Sequence, residues 1–282
     1  MGGALGTAIA RYDLGFVDWR AWAIAQATIV SFHLMTHYAN DYFDRAADAR
    51  SMRTPYSGGS GALIDGSLAP RVALVAAIAC AVCGIIASAA LATVAHAPLA
   101  AALGLGIGAL AWAYSAPPLR LLARGLGEAA TALVVAVLVP LCAFAAQQPP
   151  LERAGSALAS TLPAAAAMFA MMLAVEFPDL LSDATGGKRN LVVRAGPRRA
   201  RRFGLVAIGA AVVAVIVAIV AGAPPALALF EALAVPPALG LARAFAARSS
   251  ADPTADEALA ARGVALFFLV SFDALLAYAA AP

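Results

Sequence analysis

The chain is built from long apolar runs, near residues 21–39, 71–95, 98–115, 127–147, 160–177, 203–222, 224–247 and 262–280, separated by short polar segments. A helix that crosses a bilayer needs ~20 mostly apolar residues, and each run approaches that length. Composition agrees: 63% of residues are apolar and 12% charged, against about 45–50% and ~25% in a soluble domain. No soluble core could hide that surplus. The sequence therefore predicts an all-α fold, a polytopic membrane helix bundle in one domain over 1–282, with lipid as its solvent. Secreted, disordered and nucleic-acid-binding classes are set aside, and the net charge of +3 does not restore a nucleic-acid partner.

The basic residues sort by side. With residues 40–70 in the cytoplasm, segments 116–126, 178–202 and 248–261 are cytoplasmic too, and these with their helix ends carry 16 of the 19 basic residues. The opposite side keeps Arg11, Arg20 and Arg153. The positive-inside rule thus fixes the orientation. The expectation is a multi-pass protein of the inner (plasma) membrane with its functional face toward the cytoplasm. The run Gly2–Ala10 is apolar but only nine residues long, too short to span. It reads as the tail of a first helix whose start lies further upstream, so the expectation is eight full transmembrane helices plus a truncated first one, nine in all.

Cys80, Cys83 and Cys142 lie in apolar runs with no second pair or histidine beside them, and read as buried small hydrophobes. Gly104 and Gly108 form a G-x-x-x-G, which reads as close helix packing.

Where the first full run reaches the cytoplasm, Asn40, Asp44 and Asp48 follow at i, i+4, i+8, with Asp41 beside Asp44. On a helix they share one face. Crowded carboxylates repel one another unless a counter-charge neutralises them. A hard cation such as Mg²⁺, using one or two carboxylates plus substrate phosphates, supplies it; a solvated helix end is the other reading. A second cluster repeats the pattern. Asp179 and Asp183 stand i, i+4 at the same side, 135 residues after Asp44 and Asp48. Both clusters precede glycine-rich, basic loops, Ser57–Gly61 with Arg53 nearby and Gly186–Arg189 with Lys188 and Arg189. Two facing acid clusters with flexible basic loops describe a metal–diphosphate site. A third segment on that side, Tyr114 to Glu128, places Arg120 and Arg124 one turn apart, on one face if helical.

The motifs N-D-Y-F-D-x-x-x-D, Y-S-x-P-P-L-R-x-x-x-R-G-L-G-E and D-x-x-x-D-x-x-x-G-K-R-N-L-x-V-R-x-G, in this order, resemble the UbiA superfamily of intramembrane prenyltransferases. Ser57–Gly66 and Gly187–Gly196 are most similar to the 1,4-dihydroxy-2-naphthoate prenyltransferase branch of menaquinone biosynthesis. The resemblance implies a nine-helix bundle around a lipid-open cavity, a prenyl diphosphate and an aromatic acceptor as substrates, and Mg²⁺ as cofactor. By motif position it implies Asn40, Asp41, Asp44, Asp48, Asp179 and Asp183 as metal residues. It likewise implies Arg53, Lys188, Arg189 and Arg120 as substrate-binding residues, and Asp44, Asp179 and Tyr114 at the chemistry. Transfer to another acceptor (a different quinone precursor or a glycerophosphate lipid) remains an alternative, as does a secondary transporter. Transporters place their acids near the bilayer midplane, whereas seven acids here gather at one side.

Three features stand outside the motifs. Glu231 and Asp273 lie inside apolar runs, where an ionisable group is either paired structurally or functional. His33 and His37 share a helix face one to two turns before Asn40, and either pack between helices or contact the aromatic acceptor.

Overall fold

The computed structural model describes residues 1–49, 60–186, 188–247 and 253–282, and among them the chain is all-helical, with no strand. The helices are α1 (Gly2–Leu14), α2 (Trp19–Asp48), α3 (Pro70–Thr93), α4 (Pro98–Ser115), α5 (Gly127–Ala146), α6 (Ala154–Glu176), the short α7 (Leu180–Gly186) and α8 (Leu191–Ala195), α9 (Pro197–Val220), α10 (Ala226–Ala246) and α11 (Pro253–Ala280). Seven helices among the described residues are long and apolar enough to cross a membrane: α3, α4, α5, α6 (from Leu151), α9, α10 and α11 (from Thr254). The expected span 21–39 lies inside α2, which has 30 residues and so extends ~45 Å at 1.5 Å per residue. Gln26, His33, Thr36, His37 and Asn40 dilute its apolar character, and all five line an internal cavity.

Local chemistry sets the boundaries. Asp18 opens α2, its carboxylate accepting from the backbone N–H of Arg20 and Ala21, as an N-cap should. Proline stands in the first turn of α3, α4 and α9, where its missing N–H costs nothing. Inside α5 the turn Val134–Leu138 is widened to i→i+5 bonding, with Val139 N–H reaching Val134 O. Pro140 explains it: with no N–H and a ring that crowds the preceding turn, it disfavours regular α geometry just ahead of it. In α10 a 3₁₀ turn at Ala232–Ala234 precedes Pro236 and Pro237, the break that the proline pair predicts.

The bundle has two halves. In the first, α2 packs along α3 and α4; in the second, α6 packs along α9 and α11, with α10 against α9 and α11. Helix α5 touches α4 on one side and α6 on the other, and α1 closes the ring between α5 and α11. The G-x-x-x-G reading holds. A Cβ on Gly104 would stand 2.8 Å from the Thr28 methyl, and one on Gly108 2.5 Å from the Phe32 ring. Thr28 and Phe32, one turn apart on α2, sit on glycines one turn apart on α4. The outward face is apolar: Val206, Val213, Ile216 and Val220 of α9 are all exposed. Of the cysteines only Cys142 is buried; Cys80 is half-buried and Cys83 is exposed. The expectation of three buried thiols is corrected, because residues 80 and 83 lie on an outer helix whose apolar side faces away from the bundle.

Candidate active site and its family

The C-terminal end of α2 carries the first acid cluster. Asn40, Asp44 and Asp48 lie along one helix, as the spacing predicts. Asn40 donates through Nδ2 to Asp44 Oδ2 and to Ser115 Oγ, both at 2.8 Å. It thereby ties the cluster to the end of α4. Asp41 Oδ1 accepts from the Ser60 N–H at 3.3 Å.

The second cluster forms where α6 stops. Pro178 cannot continue the helix, so α6 ends at Glu176 and the chain turns into α7. Asp179 precedes that turn, and the Asp183 N–H returns to the Asp179 carbonyl at 2.8 Å. Asp183 accepts from Asn190 Nδ2 at 2.7 Å and pairs with Lys188 Nζ at 3.7 Å. Asn190 in turn caps α8, its Oδ1 accepting from the Val193 N–H.

The two clusters meet. Burial pushes the carboxyls of Asp48 and Asp183 up to about 6; Lys188 pulls both back, while Asp44 pushes each of them up further. Burial also raises Asp44, against the pull of Lys188, Arg120 and the Asn40 amide. Burial by itself would lower Lys188, yet Asp183, Asp44 and Asp48 together hold it above its ordinary value. One lysine thus serves acids from both halves of the bundle. The acids outnumber it, and the site is short of positive charge.

The donor chemistry fits a hard divalent cation, since carboxylate and amide oxygens are the ligands such an ion takes. Asp44 and Asp183 are both buried. Of the expected residues, Asn40, Asp41, Asp44 and Asp48 stand at the end of α2, and Asp179 and Asp183 stand around the start of α7. Among the described residues no three His, Cys, Asp or Glu side chains stand close enough to hold one ion. Lys188 lies between the clusters and repulsion keeps the carboxylates apart. One or two carboxylates per ion, completed by water and phosphate, is the arrangement that remains.

The other predicted residues divide. Tyr114 lines the cavity below the acids, as does Thr131. Arg120 acts on Asp44 from a left-handed backbone, φ 45°, a conformation that costs a non-glycine residue ~1 kcal/mol or more. Arg124 does not share its face. It belongs to a separate 3₁₀ turn and folds back to donate to the Pro118 carbonyl at 2.9 Å. The chain between Pro117 and Leu121 turns instead of running as a helix, so the i, i+4 reading of the two arginines is corrected. Arg189 is exposed, and among the described residues no ion pair holds it to the acids. Arg53, with Ser57–Gly59 and Gly187, lies outside the described residues.

Sequence reasoning missed a carboxyl pair. Glu128, at the start of α5, is fully buried and accepts from the Leu191 N–H. Glu176, the last residue of α6, is buried close to it. Glu128 Oε2 and both Glu176 oxygens find no donor among the described residues. Two carboxylates cannot bond to each other and repel when both are charged, whereas an amide in place of one would offer the other a donor. The pair thus joins α5, α6 and α8 beneath Lys188. Glu176→Gln, which removes a charge and adds a donor, should leave thermal stability unchanged or slightly higher. Glu128→Ala should cost about 1–3 kcal/mol by orphaning the Leu191 N–H, read as a lower Tm in detergent. Only the burial of both helix ends could have revealed the pair, and the sequence does not display that.

Beneath the acids lies a cavity of about 810 Å³. Its walls are mostly apolar, with Met168, Met171, Phe267 and Phe268 on one side and α2 on the other. Asn40 belongs both to its lining and to the acid cluster, so the cavity opens onto the charged site.

The fold recurs in solved structures. A UbiA homolog from Archaeoglobus fulgidus bound to GPP and Mg²⁺ superposes with a TM-score of 0.67 at 16% identity, over 96% of this chain and 95% of the other. The apo UbiA homolog from Aeropyrum pernix K1 gives 0.68 at 16% identity, over 99% and 95%. A digeranylgeranylglyceryl phosphate synthase gives 0.66 at 14% identity, over 98% and 91%. No protein of curated function matches the chain in sequence. The UbiA prenyltransferase family matches residues 3–272, nearly the whole chain. The paired acid clusters above a membrane-embedded cavity are thus carried by a protein that belongs to the UbiA prenyltransferase family.

Proposed function

We propose that this chain, working as one domain over 1–282, transfers a prenyl group from an allylic prenyl diphosphate to an aromatic acceptor. The acceptor we assign is 1,4-dihydroxy-2-naphthoate, as in menaquinone biosynthesis. The observation that carries the reading is the meeting of two buried acid clusters through Lys188 at the mouth of the apolar cavity. The charged mouth suits a diphosphate and the cavity suits a hydrocarbon chain and a ring. The Archaeoglobus homolog, bound to GPP and Mg²⁺, supports the same pairing of ligands. The excess of basic residues at this end supports a site facing the cytoplasm from the inner membrane.

A bound Mg²⁺ supplies Lewis-acid stabilisation of the leaving diphosphate. Asp44, Asp48, Asp179 and Asp183 hold the cations, with Asn40 and Asp41 at the edge of the first cluster. Lys188, with Arg53, Arg189 and Arg120, takes the phosphate charge. Tyr114, a residue of the cavity lining, would stand near the reacting centre. The cavity walls exclude water, which would otherwise capture an allylic cation.

Product mass spectrometry on the purified protein, with a panel of acceptors and prenyl diphosphates in the presence of Mg²⁺, tests the reading. The expected product is a prenylated naphthalenediol that has lost its carboxylate. Transfer to a glycerophosphate lipid or another quinone precursor would reassign the acceptor. The absence of diphosphate release with every acceptor would reject the transferase reading in favour of transport. Lys188→Ala should weaken prenyl diphosphate binding by ~10-fold or more while the acceptor KM changes little, since a point charge at phosphate acts on that substrate alone. A raised acceptor KM with unchanged diphosphate affinity would reverse the assignment.

A further inference from the structure

His33 and His37 are two of the three histidines in the chain, and both face the cavity. They stand one turn apart on α2. Their Nε2 atoms are 3.3 Å apart and their rings meet edge to face. Neither ring bonds any other group among the described residues. His37 is less than one turn from Asn40, which belongs to both the cavity and the acid cluster. The pair therefore lies just inside the charged mouth, on the α2 wall that also carries Gln26 and Thr36 among apolar side chains such as Ile29 and Val30.

Two imidazole nitrogens at that distance attract only if one carries a proton and the other does not. The ring that donates its Nε2–H keeps a lone pair at Nδ1. The ring that accepts at Nε2 carries its proton at Nδ1. The pair thus leaves one acceptor and one donor unengaged. A hydroxyl, which both donates and accepts, answers both nitrogens; an ether oxygen answers only the donor, and a hydrocarbon answers neither. A prenyl chain gives such a pair nothing and a diphosphate oxygen, an acceptor only, answers just the donor, so the partner that suits both nitrogens is the hydroxyl of the acceptor.

We propose that His33 and His37 together select an acceptor bearing a ring hydroxyl, and hold that hydroxyl against α2 so that the ring lies below the diphosphate site. The proposal rests on the prenyl-transfer reading and assigns this pair as its specificity-determining residues. No bond is made or broken at the histidines: the hydroxyl is bound, and the ring is placed.

The test uses the full chain in detergent with geranyl diphosphate and Mg²⁺, comparing 1,4-dihydroxy-2-naphthoate as acceptor with 1,4-dimethoxy-2-naphthoate as competitive inhibitor. In the wild type the ether should bind at least ~10-fold more weakly than the diol, the range lost when a site built for a hydroxyl is left unpaired. His33→Phe and His37→Phe keep a ring of similar size. Each should raise the acceptor KM ~10-fold or more, erase the diol–ether difference, and leave geranyl diphosphate binding within about twofold. Variants with a wild-type KM and undiminished preference for the diol would overturn the proposal while leaving prenyl transfer standing. Variants that also lose diphosphate binding would overturn it, by showing that the pair supports the bundle instead of selecting a ligand. If the wild type binds geranyl diphosphate yet prenylates no aromatic ring, the transfer reading and this inference fall together.

Discussion

Asp44→Asn and Asp183→Asn should each lower turnover by at least ~100-fold, the range lost when one stabiliser of transition-state charge is removed. The two residues come from opposite halves of the bundle, and both are buried. Each is already held by an amide, Asn40 in one case and Asn190 in the other. An asparagine can occupy the same volume and, with its amide turned, keep an oxygen toward that partner. What it cannot supply is the negative charge. The change should therefore appear in turnover and in Mg²⁺ dependence, with Tm and detergent-solubilised yield close to wild type. Asp48→Asn and Asp179→Asn should behave alike. Near-normal activity in both Asp44→Asn and Asp183→Asn would remove the basis for a metal–diphosphate site, whichever acceptor is used.

The other large effect concerns packing. A Cβ on Gly6 would lie 1.9 Å from the Pro140 carbonyl oxygen and 2.7 Å from its carbon. Those are backbone atoms of α5, next to the widened turn, and they cannot rotate away. Gly6→Ala should therefore force α1 off α5 and cost about 3 kcal/mol, the upper part of the usual range for overpacking. A lowering of Tm by roughly 5 °C or more is expected. Because Leu5 and Pro140 both line the cavity, acceptor and prenyl-chain binding should weaken as well. Gly106→Ala is the matched control: it lies in α4 with nothing within 4 Å of its added methyl. Alanine there should be neutral or slightly stabilising through its helix propensity. Equal stability of the two variants would show that α1 does not depend on close approach to α5.

Much of this site could be read directly from the residues. The i, i+4, i+8 acids at 40, 44 and 48 required only that α2 continue past the apolar run, and it does so to Asp48. The glycines at 104 and 108 announced close packing, and Thr28 and Phe32 fill the space they leave. Arg120 and Arg124 show where such reading fails. Their spacing is helical, but a turn with a left-handed residue intervenes, and periodicity carries no information once the backbone leaves the helix. The acid clusters were legible as two separate groups, but spacing could not show that Lys188 pairs with Asp183 and is held by acids of both groups.

The sequence by itself determined the solvent, the helical class and the end of the bundle that carries charge, because each follows from which residues lipid will accept. Burial in hydrocarbon is a property of a run of side chains, and a run is local. Only the tertiary structure decided which groups meet: Lys188 between acids 135 residues apart, Glu128 against Glu176, and His33 and His37 together in the lining of the cavity. Those outcomes depend on which faces of α2, α5 and α6 turn inward. The inward face is set by glycine contacts, by the proline-linked widening of α5 and by the stop at Pro178, each acting through a neighbour distant in the chain.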